Sequence, residues 1–347
     1  MRSSIRQVAS AAGVSAMTVS NVLRGRDHLV ADETRVRVLE AVHRLDYVPV
    51  RMAAQNRHVK TSTLGVVFLH LHRLDGIVGY PTFLGMSERA RQVDHDLTVF
   101  LRSEPDWVRP GMEAQFLDRR CDGFIFVGYN DPAVSEVLVR HQVPAVECYS
   151  VAPLAGVARV LGNNTDGMRQ AVRHLAQRGH ERIAHLAGPR GNLEAQERLD
   201  GFRAGMQETF GADYRDRVVQ GDTWGGAWRF HEPWRDAGSE TRALAEAVLA
   251  MNVTAVVCAN DLLALAVWQL AEERGLRVPQ DLSLIGMDNI LPAACKGLTS
   301  IATPFAQIGA GAVDAVLALQ CGEDSQTASR ILPVALEERN SVSFPSK

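Results

Sequence analysis

The sequence predicts two unlike pieces in one chain: an all-α head of about sixty residues, joined to a larger α/β body whose parallel sheets form two lobes. Three observations predict this. Apolar residues in the head recur at helical spacing, whereas the body alternates strand-length apolar runs with helical stretches. Charge divides at the same place. Residues 1–60 carry ten Arg/Lys against five Asp/Glu, so the head is +5 and the remainder −8, although the whole chain is only −3. A small basic head on an acidic body points to a polyanionic partner for the head alone.

Composition narrows the class further. With 347 residues, 46% hydrophobic and 22% charged, the chain is an ordinary globular protein of two or three domains, not a disordered chain or a coiled coil. No apolar h-region follows the start, and no run of 18 apolar residues occurs, so a cytoplasmic protein without a membrane partner is expected. The five cysteines (Cys121, Cys148, Cys258, Cys295, Cys321) are scattered and form no CxxC, which indicates neither a disulfide framework nor a zinc site.

In the head, Ser4 and Gln7 have capping-box spacing, and Ile5, Val8, Ala9 and Ala12 make one apolar face. Gly13-Val14-Ser15 breaks the helix: Gly permits the turn, Val14 plugs the corner and Ser15 caps the second helix. From Ala16 to Arg24, Val19, Val22 and Leu23 lie on one face, and Met17, Asn21 and Arg24 on the other. A third helix over about 32–45 is expected to bury Val36, Leu39, Val42 and Leu45, with Asp32 as its cap. Two helices joined by a tight turn with a supporting third have helix-turn-helix patterning, against the plainer alternative of a three-helix domain with a solvated polar face.

In the body, apolar runs at 64–69, 97–101, 123–127, 143–146, 183–186, 218–219, 255–258 and 282–286 read as strands buried on both faces, with helices between them. They fall into two groups that divide near 159–162. Catalytic signatures are absent. The histidines of His180-Glu181-Arg182-Ile183-Ala184-His185 are five apart, about 140° on a helix, and cannot share a metal. No GxxxxGK[ST], GxGxxG or GxSxG occurs, and neither an enzyme nor a cofactor is expected.

Several stretches together carry a family resemblance. Residues 4–9 (SIRQVA), 12–23 (AGVSAMTVSNVL), Glu33-Thr34-Arg35 and 45–49 (LDYVP) resemble the headpiece of the lactose-repressor (LacI/GalR) family. In the body, Asn163-Asn164-Thr165-Asp166-Gly167, 179–184 (GHERIA), Arg198-Leu199-Asp200-Gly201-Phe202, Ala259-Asn260-Asp261, Leu276-Arg277-Val278-Pro279, Gly286-Met287-Asp288 and Leu298-Thr299-Ser300-Ile301 resemble further landmarks in order.

The resemblance implies an all-α helix-turn-helix headpiece (1–48) and a hinge (49–60). It also implies a two-lobed, periplasmic-binding-protein-like body (61–347) with three crossovers. The first lobe would take about 61–162 and 291–322, the second about 163–290 and 323–347. Ala16, Met17 and Asn21 would read bases in the major groove, Asn bonding adenine and Ala or Met packing on a thymine methyl. Ser15, Thr18, Arg24 and His28 would hold phosphates. Met52, Ala53 and Asn56 fall in the hinge, where the family wedges leucines into the minor groove; Asn56 stands at the wedge position and Met52 is the substitute candidate.

Ligands bind beyond the carboxyl ends of strands in such sheets, which nominates His70, Tyr149, Arg198, Trp224, Asn260 and Asp288 as effector contacts. Alternatives stand beside these assignments. Asn260 and Asp261 suit helix capping equally well, Trp224 with Trp228 and Trp234 suits a lid or a packing cluster, and His70 suits a solvated loop. The expected function is a regulator, a homodimer on a pseudo-palindromic double-stranded DNA operator, controlled by a small-molecule effector such as a sugar or sugar derivative. A ligand sensor without DNA binding is the other reading, with an enzyme on the same fold a distant third.

Overall fold

The computed structural model describes residues 5–23, 29–45, 61–69, 77–102, 116–117, 120–128, 132–149, 154–211, 217–225 and 238–345. The chain divides into two compact units, 1–61 and 62–347.

In the first unit, helices α1 (Ile5–Ala12), α2 (Ala16–Leu23) and α3 (Asp32–Arg44) close on one core. That core holds Val8, Ala9, Ala12, Val19, Val22, Val38 and Ala41, with Ile5, Val14, Leu23, Val42 and Leu45 packed against it. Gly13, at φ +66°, makes the turn between α1 and α2. Two expectations for α3 need correction. Its buried row is Val38 and Ala41, while Val36 and Leu39 are about half exposed. The i, i+3, i+4, i+7 row through 38, 41, 42 and 45 is the one that meets α1 and α2, and 36 and 39 lie off it. The Ala31 carbonyl accepts from Arg35 N at 3.0 Å, so Ala31, and not Asp32, holds the N-cap position. Asp32 and Glu33 instead place negative charge in the first turn, favourable to the helix dipole. Ser4 and residues 46–60, the hinge included, lie outside the described residues.

The second unit contains two six-stranded sheets. The first is built from β1 (Thr63–Leu69), β2 (Asp96–Arg102), β3 (Phe124–Val127), β4 (Ala145–Cys148), β5 (Ala158–Gly162) and β11 (Arg330–Leu332), in the parallel order β11-β5-β4-β3-β1-β2. The second uses β6 (Ile183–Ala187), β7 (Val218–Gln220), β8 (Ala255–Cys258), β9 (Ser283–Met287), β10 (Thr299–Ala302) and β12 (Ala335–Glu337), in the order β12-β10-β9-β8-β6-β7. Only β12 runs antiparallel there.

Side chains alternate across each sheet, as strands require. Leu64, Val66, Phe68, Ile125 and Val146 face α4 (Gly79–Gln92) and α11 (Phe305–Gln320), while Val67, Phe124, Phe126 and Ala145 face α5 (Pro132–Arg140). In the second lobe, Ala184, Leu186, Val256 and Leu284 face α8 (Ser239–Leu249) and α9 (Asp261–Glu273). Ile183, Ala255, Val257, Ile285 and Ile301 face α6 (Asn164–Gln177) and α7 (Leu193–Phe210). Helices on both faces explain why these strands are apolar throughout.

The chain crosses between sheets three times: between Gly162 and Asn163, over Thr303-Pro304, and between Leu332 and β12. This corrects the expected lobe limits. Short helix α10 (Leu291–Lys296) leads into β10, which pairs with β9, so 291–302 belong to the second lobe. The one-turn helix α12 (Ser325–Ala328) leads into β11, which pairs with β5, so 323–332 belong to the first. Strands of three or four residues, two of them polar in β10, give too little periodicity to show which sheet they join.

Candidate functional site

Helix α7 carries the centre of the site. Asn192 caps it, accepting from Ala195 N at 3.0 Å, and Gly211 in the left-handed region ends it. Ala195, Arg198, Leu199, Phe202 and Met206 form its buried face. Arg198 is therefore a cation on an apolar stripe, only 5% exposed, and its charge demands partners. Its Nε donates to Asn164 Oδ1 at 2.9 Å, one terminal nitrogen to the Ala259 carbonyl at 2.6 Å, and the other to Asp288 Oδ1 at 3.1 Å. The guanidinium also lies over the Trp224 ring, 5.3 Å from its centre. Arg198 thus ties the start of α6 to the carboxyl ends of β8 and β9. Three of the five N–H groups an arginine carries are engaged, among the described residues, leaving capacity to donate outward.

Asp288 sits just past β9 at φ +108°, followed by Asn289 at φ +56°. Such backbone is costly for residues with a side chain and occurs mainly at functional sites. Burial pushes the Asp288 carboxyl above its usual range; Arg198 and Thr303, which donates at 3.2 Å, draw it back. Thr303 lies on a crossover, so Asp288 touches the joint between the lobes.

The other nominated positions divide. Asn260 caps α9, accepting from Leu263 N at 2.9 Å, and donates to the Trp224 carbonyl at 2.8 Å. Both ends of its amide are used by the protein, which is the capping alternative. Trp224 offers one ring face to Arg198 and packs against the second-lobe core. Tyr149 ends β4 at φ +62°. The Thr82 hydroxyl donates to the Val78 carbonyl at 2.7 Å, so the Tyr149 hydroxyl, also 2.7 Å from Thr82 Oγ1, is the donor to it. The Tyr149 ring stands edge-on to Phe305. Its phenol is raised above the usual range by burial first, with Glu194 and Asp288 contributing from the opposite lobe. The structure therefore brings Arg198, Asp288, Trp224 and Asn260 together and faces Tyr149 towards them. His70 and residues 226–237, with Trp228 and Trp234, lie outside the described residues.

Two acids belong to this cluster that the strand-end rule does not find. Glu194, buried in the first turn of α7, has its carboxyl pushed up to about 7 by burial; Arg198 opposes this, while Asp288 and Glu197 add to it. Its i, i+4 spacing from Arg198 was the available signal. Asp261, fully buried, is pushed up to about 8 by burial and by Asp288. Arg159 on β5 lies 3.6 Å from Glu147 on β4 and 3.6 Å from Glu197 on α7, an ionic link between the lobes.

The head shows the expected cap: Ser15 Oγ accepts from Thr18 N at 3.0 Å and meets Thr18 Oγ1 at 2.9 Å. Met17 is 70% exposed, Asn21 is half-buried and Ala16 is partly packed on the core. Arg24, His28, Met52, Ala53 and Asn56 lie outside the described residues. Among the described residues, no His/Cys/Asp/Glu group is placed to hold a metal, and no helix is long and apolar enough to cross a membrane.

A helix-turn-helix head on a two-sheet body with three crossovers and a charged cluster at its strand ends defines a ligand-responsive DNA-binding protein. Comparison with known proteins agrees. Residues 4–50 match the family described as bacterial regulatory proteins, lacI family, and residues 172–342 a periplasmic binding protein-like domain. The lactose operon repressor of Escherichia coli is 30% identical over 352 residues, covering 98% of this chain and 90% of that protein. The HTH-type transcriptional repressor PurR of Vibrio cholerae is 28% identical, covering 90% of each. Among solved structures, the lac repressor dimer bound to operator and the anti-inducer ONPF aligns with a TM-score of 0.76 at 27% identity, covering 99% of this chain and all of that one. A complex of the transcriptional regulator CelR with cellobiose aligns at 0.69 and 27%, covering 98% and 100%. The chain belongs to the lacI family of bacterial regulatory proteins; it is a DNA-binding transcriptional regulator with an effector-binding body, not an enzyme.

Proposed function

We propose that this chain is a cytoplasmic repressor that binds a pseudo-palindromic operator as a homodimer. A neutral or basic sugar-like effector, held between the lobes against Arg198 and Asp288, changes its operator affinity. The buried Arg198–Asp288 pair, with Trp224 behind it, is the observation that carries this reading. A guanidinium with free N–H groups beside a carboxylate suits vicinal hydroxyls, which both donate and accept. Charge balance supports a neutral or basic ligand over an anionic one: Arg198 is paired with Asp288 and Arg159 lies between Glu147 and Glu197, so both cations of the cluster already face acids. Met17 and Asn21 on the outer face of α2 would read bases, with the +5 head supplying attraction to phosphate.

The test is fluorescence anisotropy of the full chain on duplexes selected from a random pool, over a salt series, with and without cellobiose, ribose or glucosamine. The expected result is one preferred sequence, bound with a steep salt dependence, and an affinity that a bound sugar alters. Absence of any preferred duplex, with and without sugar, would leave a ligand sensor and sink the regulator reading for this chain.

A further inference from the structure

Asp261 is the first residue of α9, yet it does not cap that helix, because Asn260 does. Its carboxylate instead turns towards the strands. Oδ2 accepts the Ile290 N–H at 2.8 Å, and Oδ1 accepts the Ser300 hydroxyl at 2.6 Å. Ser300 Oγ in turn accepts the Asn289 N–H at 3.0 Å. Both chains of hydrogen bonds end on the backbone immediately after Asp288. Room for the carboxylate comes from Gly286, where a Cβ would overlap Asp261 Oδ1 and press on the Asp261 backbone. No cation forms an ion pair with Asp261 among the described residues. A fully buried acid without a counter-ion is unfavourable unless donors satisfy it, and here the two donors belong to the turn and to its neighbour on β10.

We infer that Asp261 is a positioning residue for the effector site, holding Asp288 and Asn289 in their left-handed backbone so that the Asp288 carboxylate meets Arg198. The inference rests on the proposed effector role of that pair. Two other ties hold the turn: Arg339 donates to Asn289 Oδ1 at 2.6 Å, and Asp288 N to the Ile301 carbonyl at 2.8 Å. Neither reaches Ile290. Asp261 alone among these groups reaches Ile290, and through Ser300 it also holds Asn289. Without it, the Ile290 N–H loses its acceptor and the Ser300 hydroxyl that holds the Asn289 N–H loses its own, so consecutive positive-φ residues lose what over-determines them.

The experiment uses the full chain carrying Asp261→Ala, Asp261→Asn or Ser300→Ala, with Asp288→Ala as reference. Crystal structures without ligand are the first readout. In Asp261→Ala and Ser300→Ala the 288–290 turn should leave its left-handed backbone, and Asp288 should separate from Arg198 beyond hydrogen-bond distance, with α9 and β9 in place. Asp261→Asn, which keeps one acceptor, should retain the turn in part. The second readout is calorimetric titration with whichever of cellobiose, ribose or glucosamine the wild type binds. A loss of about tenfold is expected for Asp261→Ala, the scale of a buried donor left unsatisfied, with partial rescue in Asp261→Asn. Ser300→Ala keeps the test open if Asp261→Ala fails to fold. An unchanged turn and Arg198–Asp288 contact in the folded variants overturns the inference, whether or not a sugar binds. A shifted turn together with sugar binding that Asp288→Ala does not weaken would leave the positioning intact and overturn the effector assignment instead.

Discussion

Among the described residues, the carboxyl ends of the two sheets are chemically opposite. The first sheet presents Tyr149, a neutral side chain whose hydroxyl is engaged by Thr82 and whose ring rests on Phe305. Through Thr82 and the Val78 carbonyl it is tied to the start of α4, so this end is built from packing. The second sheet presents Arg198, Asp288, Glu194 and Asp261, all buried or nearly so. Among the described residues, charge recognition is thus concentrated in the second lobe, and Tyr149 of the first supplies a wall joined to its own helices. A ligand between them would gain its polar contacts from the second lobe, and lobe closure would be felt at Tyr149.

The comparison breaks most directly at Arg198. Arg198→Ala leaves Asn164 Oδ1 and the Ala259 carbonyl without this donor in the interior and Asp288 without its counter-ion, with only Thr303 donating to it, and should destabilise the body by about 3–5 kcal/mol in urea melts. A loss below 1 kcal/mol would mean the cluster is far better hydrated than its burial implies.

Next in size are two opposing proton linkages within the second lobe. His185 lies on β6, stacked on Phe202 with Nδ1 at 2.8 Å from the Val257 carbonyl, and burial pulls it down to about 4 from 6.5. The unfolded chain therefore binds the extra proton between about pH 6.5 and 4, so this group makes the body more stable as pH rises through that window. Glu194, raised to about 7 from 4.5, binds its proton in the folded state first and makes the body less stable as pH rises from 4.5 to 7. Each is worth about 3 kcal/mol at full effect, with opposite signs over overlapping ranges. These two offset each other between pH 4.5 and 6.5, but Asp261, raised to about 8 from 3.8, also binds its proton in the folded state first, so the wild type should lose stability as pH rises through this range. Glu194→Gln should lose less stability than the wild type as pH rises from 4.5 to 7, and be the more stable of the two above pH 7. Parallel profiles for the two proteins would contradict the buried-acid account of Glu194.

At the neutral end, Tyr149→Phe removes one hydrogen bond to a Thr82 that keeps its acceptor, and should cost about 1 kcal/mol while changing sugar affinity less than tenfold. A larger effect on affinity would place the phenol in direct ligand contact. An effect of similar size belongs to the head, where Ala31→Ser supplies the side-chain cap that α3 lacks and should raise the head's stability by about 1 kcal/mol.

Local rules carried some residues and failed on others for physical reasons. Ser15 was legible as a cap because capping depends on residues three apart. Arg198 and Asp288 were nominated from the rule that ligands gather at strand ends, and the fold pairs them at 3.1 Å. The buried row of α3 was not: Val36, Val38, Leu39 and Val42 are all apolar, and only the partners α1 and α2 decide which face turns inward. The limits of the lobes were hidden for a similar reason, since β10, β11 and β12 are three or four residues long and their pairing is wholly non-local. Glu194 and Asp261 escaped because burial of a carboxylate is a property of the packed fold, and an acid in the first turn of a helix reads as ordinary dipole complementarity.

The central claim is that the charged end of the second lobe senses a small molecule and passes that to the head. Its most direct test measures operator affinity by anisotropy for wild type, Arg198→Ala and Asp288→Ala, each with and without the sugar that binds the wild type. The account predicts that sugar shifts the wild-type affinity and leaves both folded variants at a single, sugar-independent value. Variants that still respond to sugar as the wild type does would contradict it.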